Sequence, residues 1–260
     1  MFRTSSLLIP GFLLILGCSG ADVSKLKTLY PAVQYQGKGR PPVVKLQKAV
    51  PDDWTAVTQV SKVALGAIVV SEDWAFYQHN GFDANQMKLA LEEDIEKKRF
   101  ARGASTITQQ VAKNVFLDSD KNILRKIKEL IIAVQLEKSL KKNKILEIYL
   151  NIAEWGEGLF GIRAASRHYF GKHPSELSPK EGAFLAMLLP SPKRYSQSFR
   201  DKRLTQYATR TVDSILEKMA QAKYISEEDL ALEKVRPLSF ELLSVEPQPQ
   251  ATQDPEDISS

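Results

Sequence analysis

Two adjacent carboxylates, Glu72 and Asp73, open the stretch SEDWAFYQHNGFD (71–83) directly after an apolar run, VALGAIVV (63–70). A carboxylate set against Val69, Val70, Trp74 and Phe76 loses hydration, and desolvation raises its pKa toward the range of a working general base. A single Glu-Asp pair at the end of a helix or strand is more often simply solvated, so the pair needs a chemical partner elsewhere in the chain. Residues 97–144 supply one candidate, with thirteen Lys or Arg against four Asp or Glu, whereas no basic residue follows Arg236. Solvated helix faces account for part of this excess; the clustering points to an anionic partner, either nucleic acid, lipid headgroups or a phosphorylated substrate.

The elements that position these groups read as helices. Thr106 and Gln109 have capping-box spacing at the start of one helix. Ile123, Ile127, Leu130, Ile131, Val134 and Leu136 form an apolar stripe at three-to-four spacing, which predicts a long amphipathic helix. Ser178, Pro179 and Glu181 open a further helix that must stop before Pro190-Ser-Pro192. Leu204, Ala208, Val212, Ile215 and Met219 share one side of a helix expected over 201–224. No long alternating strand pattern occurs, so the fold class is mainly α.

At 260 residues, with 43% hydrophobic and 26% charged residues, the chain suits one sizeable globular domain with appendages. Residues 1–18 read as a signal or anchor segment. The stretch Leu7 to Leu16, interrupted by Pro10, is too short to span about 30 Å of hydrocarbon at 1.5 Å per residue. Cys18 is the only cysteine, which excludes an intrachain disulfide, and its setting ILGC is similar to a bacterial lipobox. Export argues against nucleic acid as the partner of the basic region. Residues 19–50 read as a linker, 51–235 as the folded unit, and 236–260 as an acidic, Pro- and Gln-rich disordered tail.

Four segments, SEDWAFYQHNGFD (71–83), RGASTITQQVAKNVFL (102–117), RKIKELIIAVQLEKSLKKNKILEIYLN (125–151) and AEWGEGLFGIRAASRHYFGK (153–172), are followed by LSPKEGAFLAMLLPSPKRYS (177–196). Together they resemble the five-motif signature of the peptidoglycan glycosyltransferases, glycosyltransferase family 51, in its monofunctional biosynthetic branch. Glu72, Asp73, Phe76, His79 and Gly81 match every fixed position of the first motif; Gly103, Ser105, Thr106, Gln109, Gln110, Lys113 and Asn114 match the second. In the third, Arg125, Lys126, Glu129 and Glu137 fall in place, with one departure. The family usually carries Ser-Lys where this chain has Lys141-Lys142, and the extra cation suits the dipole of a helix end.

The resemblance implies a lysozyme-like helical domain with a smaller membrane-proximal subdomain. It also implies a reaction: the 4-hydroxyl of lipid II attacks the anomeric carbon of a growing glycan linked to polyprenyl pyrophosphate, with inversion. On that reading Glu72 is the general base and Glu137 the second catalytic carboxylate, near the leaving phosphate. Asp73, Phe76, His79, Ser105, Thr106, Gln109, Lys113, Asn114, Arg125 and Lys126 are the substrate-binding set, and Lys113 with Arg125 and Lys126 forms the pyrophosphate clamp. For Arg125 and Glu129, one turn apart, a structural salt bridge is an equal expectation. A divalent cation, Mg or Mn, is implied near Glu137; no organic cofactor is. The implied partners are lipid II, the growing lipid-linked glycan, membrane lipids and other cell wall synthesis proteins, with no nucleic acid. The implied location is the periplasmic side of the inner membrane, with lipoprotein anchoring through Cys18.

Two other functions compete. A lytic transglycosylase or lysozyme-like hydrolase needs a catalytic Glu but no pyrophosphate clamp, and an inactive membrane-tethered scaffold needs neither. Ser139-Leu-Lys-Lys142 fits the S-x-x-K nucleophile pattern of penicillin-binding transpeptidases, yet no S-x-N or K-T-G follows with room for a second domain.

Overall fold

The computed structural model describes residues 21–84, 88, 105–118 and 122–242. The proposed signal or anchor segment, Cys18, Gly103 and the end of the acidic tail lie outside the described residues.

The fold is mainly α. Helix α1 (Lys62–Glu72) is apolar around most of its circumference, with Ala64, Gly66, Ala67, Ile68, Val69 and Val70 all buried, as befits a central helix. It packs against α6 (Pro179–Leu188) and α7 (Gln206–Gln221), and those two pack on each other. The approach to α6 is close: a Cβ added at Gly182 would stand 2.7 Å from the Ala64 Cα, so only glycine fits there. A second layer is built from α2 (Ile107–Phe116), α3 (Ile123–Ser139) and α4 (Lys142–Ile152), with α2 lying against both of the others. Between the layers, α5 (Ile162–Phe170) follows a small antiparallel pair, β3 (Glu154–Gly156) and β4 (Leu159–Phe160). Helix α8 (Glu227–Val235) closes the order of longer helices.

Both expected capping boxes form. The Thr106 hydroxyl accepts the Gln109 N–H while the Gln109 side chain accepts the Thr106 N–H, and Ser178 and Glu181 do the same. Helix α6 ends at Leu188, ahead of the Pro-Ser-Pro sequence. Helix α7 starts only at Gln206 rather than at Asp201, because Thr205 caps it and Lys202 before it adopts a left-handed φ of 53°.

Three expectations are corrected. Residues 19–50 are more than a linker: a 3-10 turn (Val23–Lys27) packs on α3 with Leu26 fully buried, and β1 (Tyr30–Gln34) pairs antiparallel with β2 (Val43–Gln47). Residues 236–242 are part of the core rather than a tail. Leu238 and Phe240 are buried, and the Phe240 ring stacks on Phe170 and meets Phe184 and Phe199 edgewise or tilted. Third, Lys141 stands at the N-terminus of α4, not only beyond the C-terminus of α3, and its side chain makes no cap. A cation there opposes the positive end of the α4 dipole. Lys141→Ser is therefore expected to stabilise the protein by about 1 kcal/mol, read as a rise in melting temperature of about 2–4 °C.

Helix α3 departs from its expected amphipathic pattern. Ile132, Ala133 and Leu136 are buried, but of these only Leu136 belongs to the expected stripe; Ile123 and Ile127 of that stripe are exposed at 80% and 40%, Leu124 beside them at 70%, and the buried face of the first turns carries Glu129. An inward-facing carboxylate with outward-facing isoleucines is the reverse of what burial alone selects.

Candidate active site

Glu72 is the last residue of α1, so the buried helix delivers the carboxylate to its place. Half-buried itself, it is surrounded by buried Val69, Val70 and Phe76, whereas Trp74 points to solvent. Its Oε2 accepts the Gln110 Nε2–H at 2.7 Å and the Tyr149 hydroxyl at 3.4 Å. Burial raises the Glu72 pKa; the hydrogen bonds from Gln110 and Tyr149 and the nearby Lys113 pull it down without cancelling that rise, and Asp73 adds to it. Tyr149 is buried, and burial with the Glu72 charge beside it holds its hydroxyl protonated well above the ordinary range, so it serves as a donor.

Asp73, Phe76 and His79 form the frame behind that carboxylate. Asp73 is buried; its Oδ2 accepts the Ile107 N–H at the start of α2, and its Oδ1 lies 2.8 Å from His79 Nε2. The Gly81 N–H donates to His79 Nδ1, which leaves the ring proton on Nε2 to donate to Asp73. Gly81 itself, at φ 101°, sits against the α3 backbone, where a Cβ would stand 2.9 Å from the Ala133 carbonyl carbon. One loop thus ties the ends of α1 and α2 to the middle of α3.

Facing Glu72 is a set of cations. Lys113 lines a concavity, and the protein packed around its ammonium lowers its pKa through desolvation, with the Arg125 and Lys126 charges adding to the fall and Glu129 and Glu72 opposing it. It makes no hydrogen bond or ion pair among the described residues. Glu129 is 2% exposed and is gripped from two sides, by Arg125 Nη1 at 2.9 Å and by Lys126 Nζ. Lys126 also donates to Ser105 Oγ at 3.0 Å. Three cations and one buried carboxylate leave a net positive charge beside a carboxylate of raised pKa.

A family model described as Transglycosylase matches residues 41–220. The chain belongs to the transglycosylase family. Similar proteins named biosynthetic peptidoglycan transglycosylase include one from Nitrosomonas eutropha, 43% identical over 167 residues, or 64% of this chain and 67% of the relative. Another, from Azoarcus sp., is 43% identical over 170 residues, covering 64% and 73%. A third, from Nitrosospira multiformis, is 42% identical over 169 residues, covering 65% and 72%.

Within this transglycosylase the expected site residues do not all converge. Thr106 and Gln109 are buried and spend their side chains on the α2 cap, and the Thr106 hydroxyl donates to the Gly81 carbonyl at 2.7 Å. Asn114 is exposed beside Lys113 in the concavity. Glu137 stands apart: its Oε1 accepts Thr108 Oγ1 at 2.5 Å and Lys142 Nζ at 2.7 Å, and Lys142 also lies 4.4 Å above the Phe76 ring. Thr108 and Gln110 are two residues apart on α2 and point in different directions, so Glu137 and Glu72 engage different sides of that helix. The Lys142 ammonium supplies positive charge to the Glu137 carboxylate. No group of three His, Cys, Asp or Glu suited to a metal occurs among the described residues.

Sequence reasoning passed over Glu129, Gln110, Tyr149 and Lys142 as site residues. Gln110 and Glu129 sit in the quoted motifs, and the signal that was available for Glu129 is its position three and four residues from two cations. Nothing in the sequence marks Tyr149 as the donor to Glu72.

Proposed function

We propose that this glycosyltransferase polymerises peptidoglycan glycan from lipid II, with Glu72 as the general base. The 4-hydroxyl of the acceptor gives its proton to Glu72 as its oxygen bonds to the anomeric carbon of the donor. The anomeric bond to polyprenyl pyrophosphate breaks, and the leaving group departs with the electron pair onto phosphate oxygens beside Lys113, Arg125 and Lys126. Direct displacement inverts the anomeric centre. The observation that carries this reading is the juxtaposition of a desolvated Glu72, held by Gln110 and Tyr149, with Lys113, which has no ion-pair partner among the described residues. A glycan hydrolase has no use for such a cation set. The second carboxylate of the reaction is reassigned from Glu137 to Glu129, which holds Arg125 and Lys126 in place as a positioning residue.

Exposed Trp74, Tyr77 and Phe82 from the Glu72 loop, together with Ile123, Leu124 and Ile127 of α3, support a membrane-facing surface near the site. No helix among the described residues is long and apolar enough to cross a bilayer. The catalytic domain then works at the outer face of the inner membrane, where a polyprenyl-linked donor is held.

The test is incubation of the full chain in detergent with lipid II, beside a parallel incubation with finished peptidoglycan. Long glycan from lipid II and intact peptidoglycan are expected. Shortened peptidoglycan without polymer from lipid II would replace this reading with the lytic one.

A further inference from the structure

The concavity that contains Lys113 and Arg125 has a volume of about 460 Å³ and an unexpected opposite wall. That wall is the β1–β2 hairpin, through Val33, Pro41, Pro42 and Val44. Val33 and Val44 are directly paired across the hairpin, as are Pro31 and Leu46, so all four side chains share one face. Pro31 and Leu46 pack on the core. Val33 packs on the core as well, and with Val44 it lines the concavity that also holds Lys113 and Arg125. At its outer end the hairpin is latched to β3–β4: the Tyr35 ring lies 6.5 Å from that of Phe160 and against Gly158, where an added Cβ would meet Tyr35 at 3.0 Å. Two carboxylates also line the concavity, Asp118 and Glu154, the latter accepting the Gly158 N–H. Strand β1, which carries Val33, precedes the residues that match the family model, whereas Pro41, Pro42 and Val44 lie within them.

Two cations facing two valines and two prolines across one concavity form a site for an anion bonded directly to hydrocarbon. From this geometry we infer that the β1–β2 hairpin grips the first isoprene units of the polyprenyl pyrophosphate while Lys113 and Arg125 hold its phosphates. The inference rests on the proposed polymerase reading, and it deepens that reading by assigning this chain's own hairpin as the element that discriminates a prenylated pyrophosphate from a bare one. The hairpin acts on binding of the leaving group and has no part in proton transfer.

The experiment measures binding of geranyl pyrophosphate and of inorganic pyrophosphate to the full chain by calorimetry, in wild type, Val44→Asn and Val44→Leu. Val44 is only partly covered, so the asparagine variant keeps its fold; Val33→Asn is the second variant, with a thermal melt as control. Val44→Asn and Val33→Asn should each weaken geranyl pyrophosphate about fivefold, the order expected for the loss of a methyl-to-hydrocarbon contact. Neither should alter the affinity for inorganic pyrophosphate, and Val44→Leu should keep both affinities. Equal weakening of the two ligands would reduce the hairpin to a shaper of the cation site, and no change in either would send the prenyl chain elsewhere; both outcomes overturn the inference. If the wild type polymerises lipid II while either of these occurs, the inference alone falls. Selective loss of geranyl pyrophosphate in a chain that makes no polymer would leave the ligand site standing and remove the polymerase.

Discussion

Glu72→Gln should lower the kcat for glycan polymerisation by about two to four orders of magnitude, the usual contribution of a positioned base, while KM for lipid II changes little. The amide keeps the shape of the carboxylate but cannot accept the acceptor's proton. The pH profile carries the same assignment. Burial raises the Glu72 pKa above its ordinary value of 4.5. The ionised form is the active one, so kcat should fall as pH drops through that raised pKa, at a higher pH than an exposed glutamate would give. Gln110→Leu removes the 2.7 Å hydrogen bond to the ionised carboxylate and should move this acid limb further up. Stability has the opposite sign. A carboxyl whose folded-state pKa is raised favours folding most when protonated, and that contribution is lost as pH rises through the folded pKa. Glu72→Gln should therefore melt higher than wild type at neutral pH while being inactive, an outcome that separates loss of a base from loss of fold. An unchanged kcat in a well-folded Glu72→Gln would remove Glu72 from the chemistry.

The second large effect is expected at Lys113. Lys113→Met should lower kcat by about two to three orders of magnitude, the order seen when one preorganised group is removed from developing negative charge. Arg125 and Lys126 cannot replace it, because each is already bonded to Glu129. The cationic form is the active one, and desolvation lowers its pKa from 10.5. The wild-type rate should thus fall on the alkaline side as pH rises through a value below that of an ordinary lysine, and the residual rate of Lys113→Met should lack that limb. A rise in KM with kcat intact would instead mean that Lys113 binds ground and transition states alike.

Much of this site can be read from the sequence because its residues act locally. A capping box needs four consecutive residues, so the start of α2 at Thr106 and that of α6 at Ser178 are both readable in advance. The carboxylate at Glu72 is readable as well, since the apolar run and the acid that follows it are contiguous. Features that depend on a distant partner are not. The β1–β2 hairpin has little alternation, carries Pro31 in one strand, and takes its inner face from packing on α4 and α2, neither of which it adjoins in sequence. Glu129 and Glu137 are the same residue type on one helix, eight positions apart, and only the burial of the first between two cations tells them apart. Glu147 and Asn151 teach the same lesson: they lie in a motif and carry charge or polarity, yet they brace the segment at Trp54, Thr55 and Val57 rather than the cleft.

Helix α1 carries a last consequence. Its middle is sealed between α6 and α7, with Gly182 and the Tyr224 ring pressed against its backbone at Ala64 and Gly66. Amide protons there can exchange with solvent only when the whole core opens, whereas those of the first turns of α3, flanked by exposed Ile123 and Leu124, can exchange through local fraying. Glu72 at the end of α1 and the Arg125–Lys126 pair at the start of α3 consequently belong to units of different opening free energy. On the proposed polymerase reading, Arg125 and Lys126 loosen to release a spent carrier while Glu72 stays registered for the next addition.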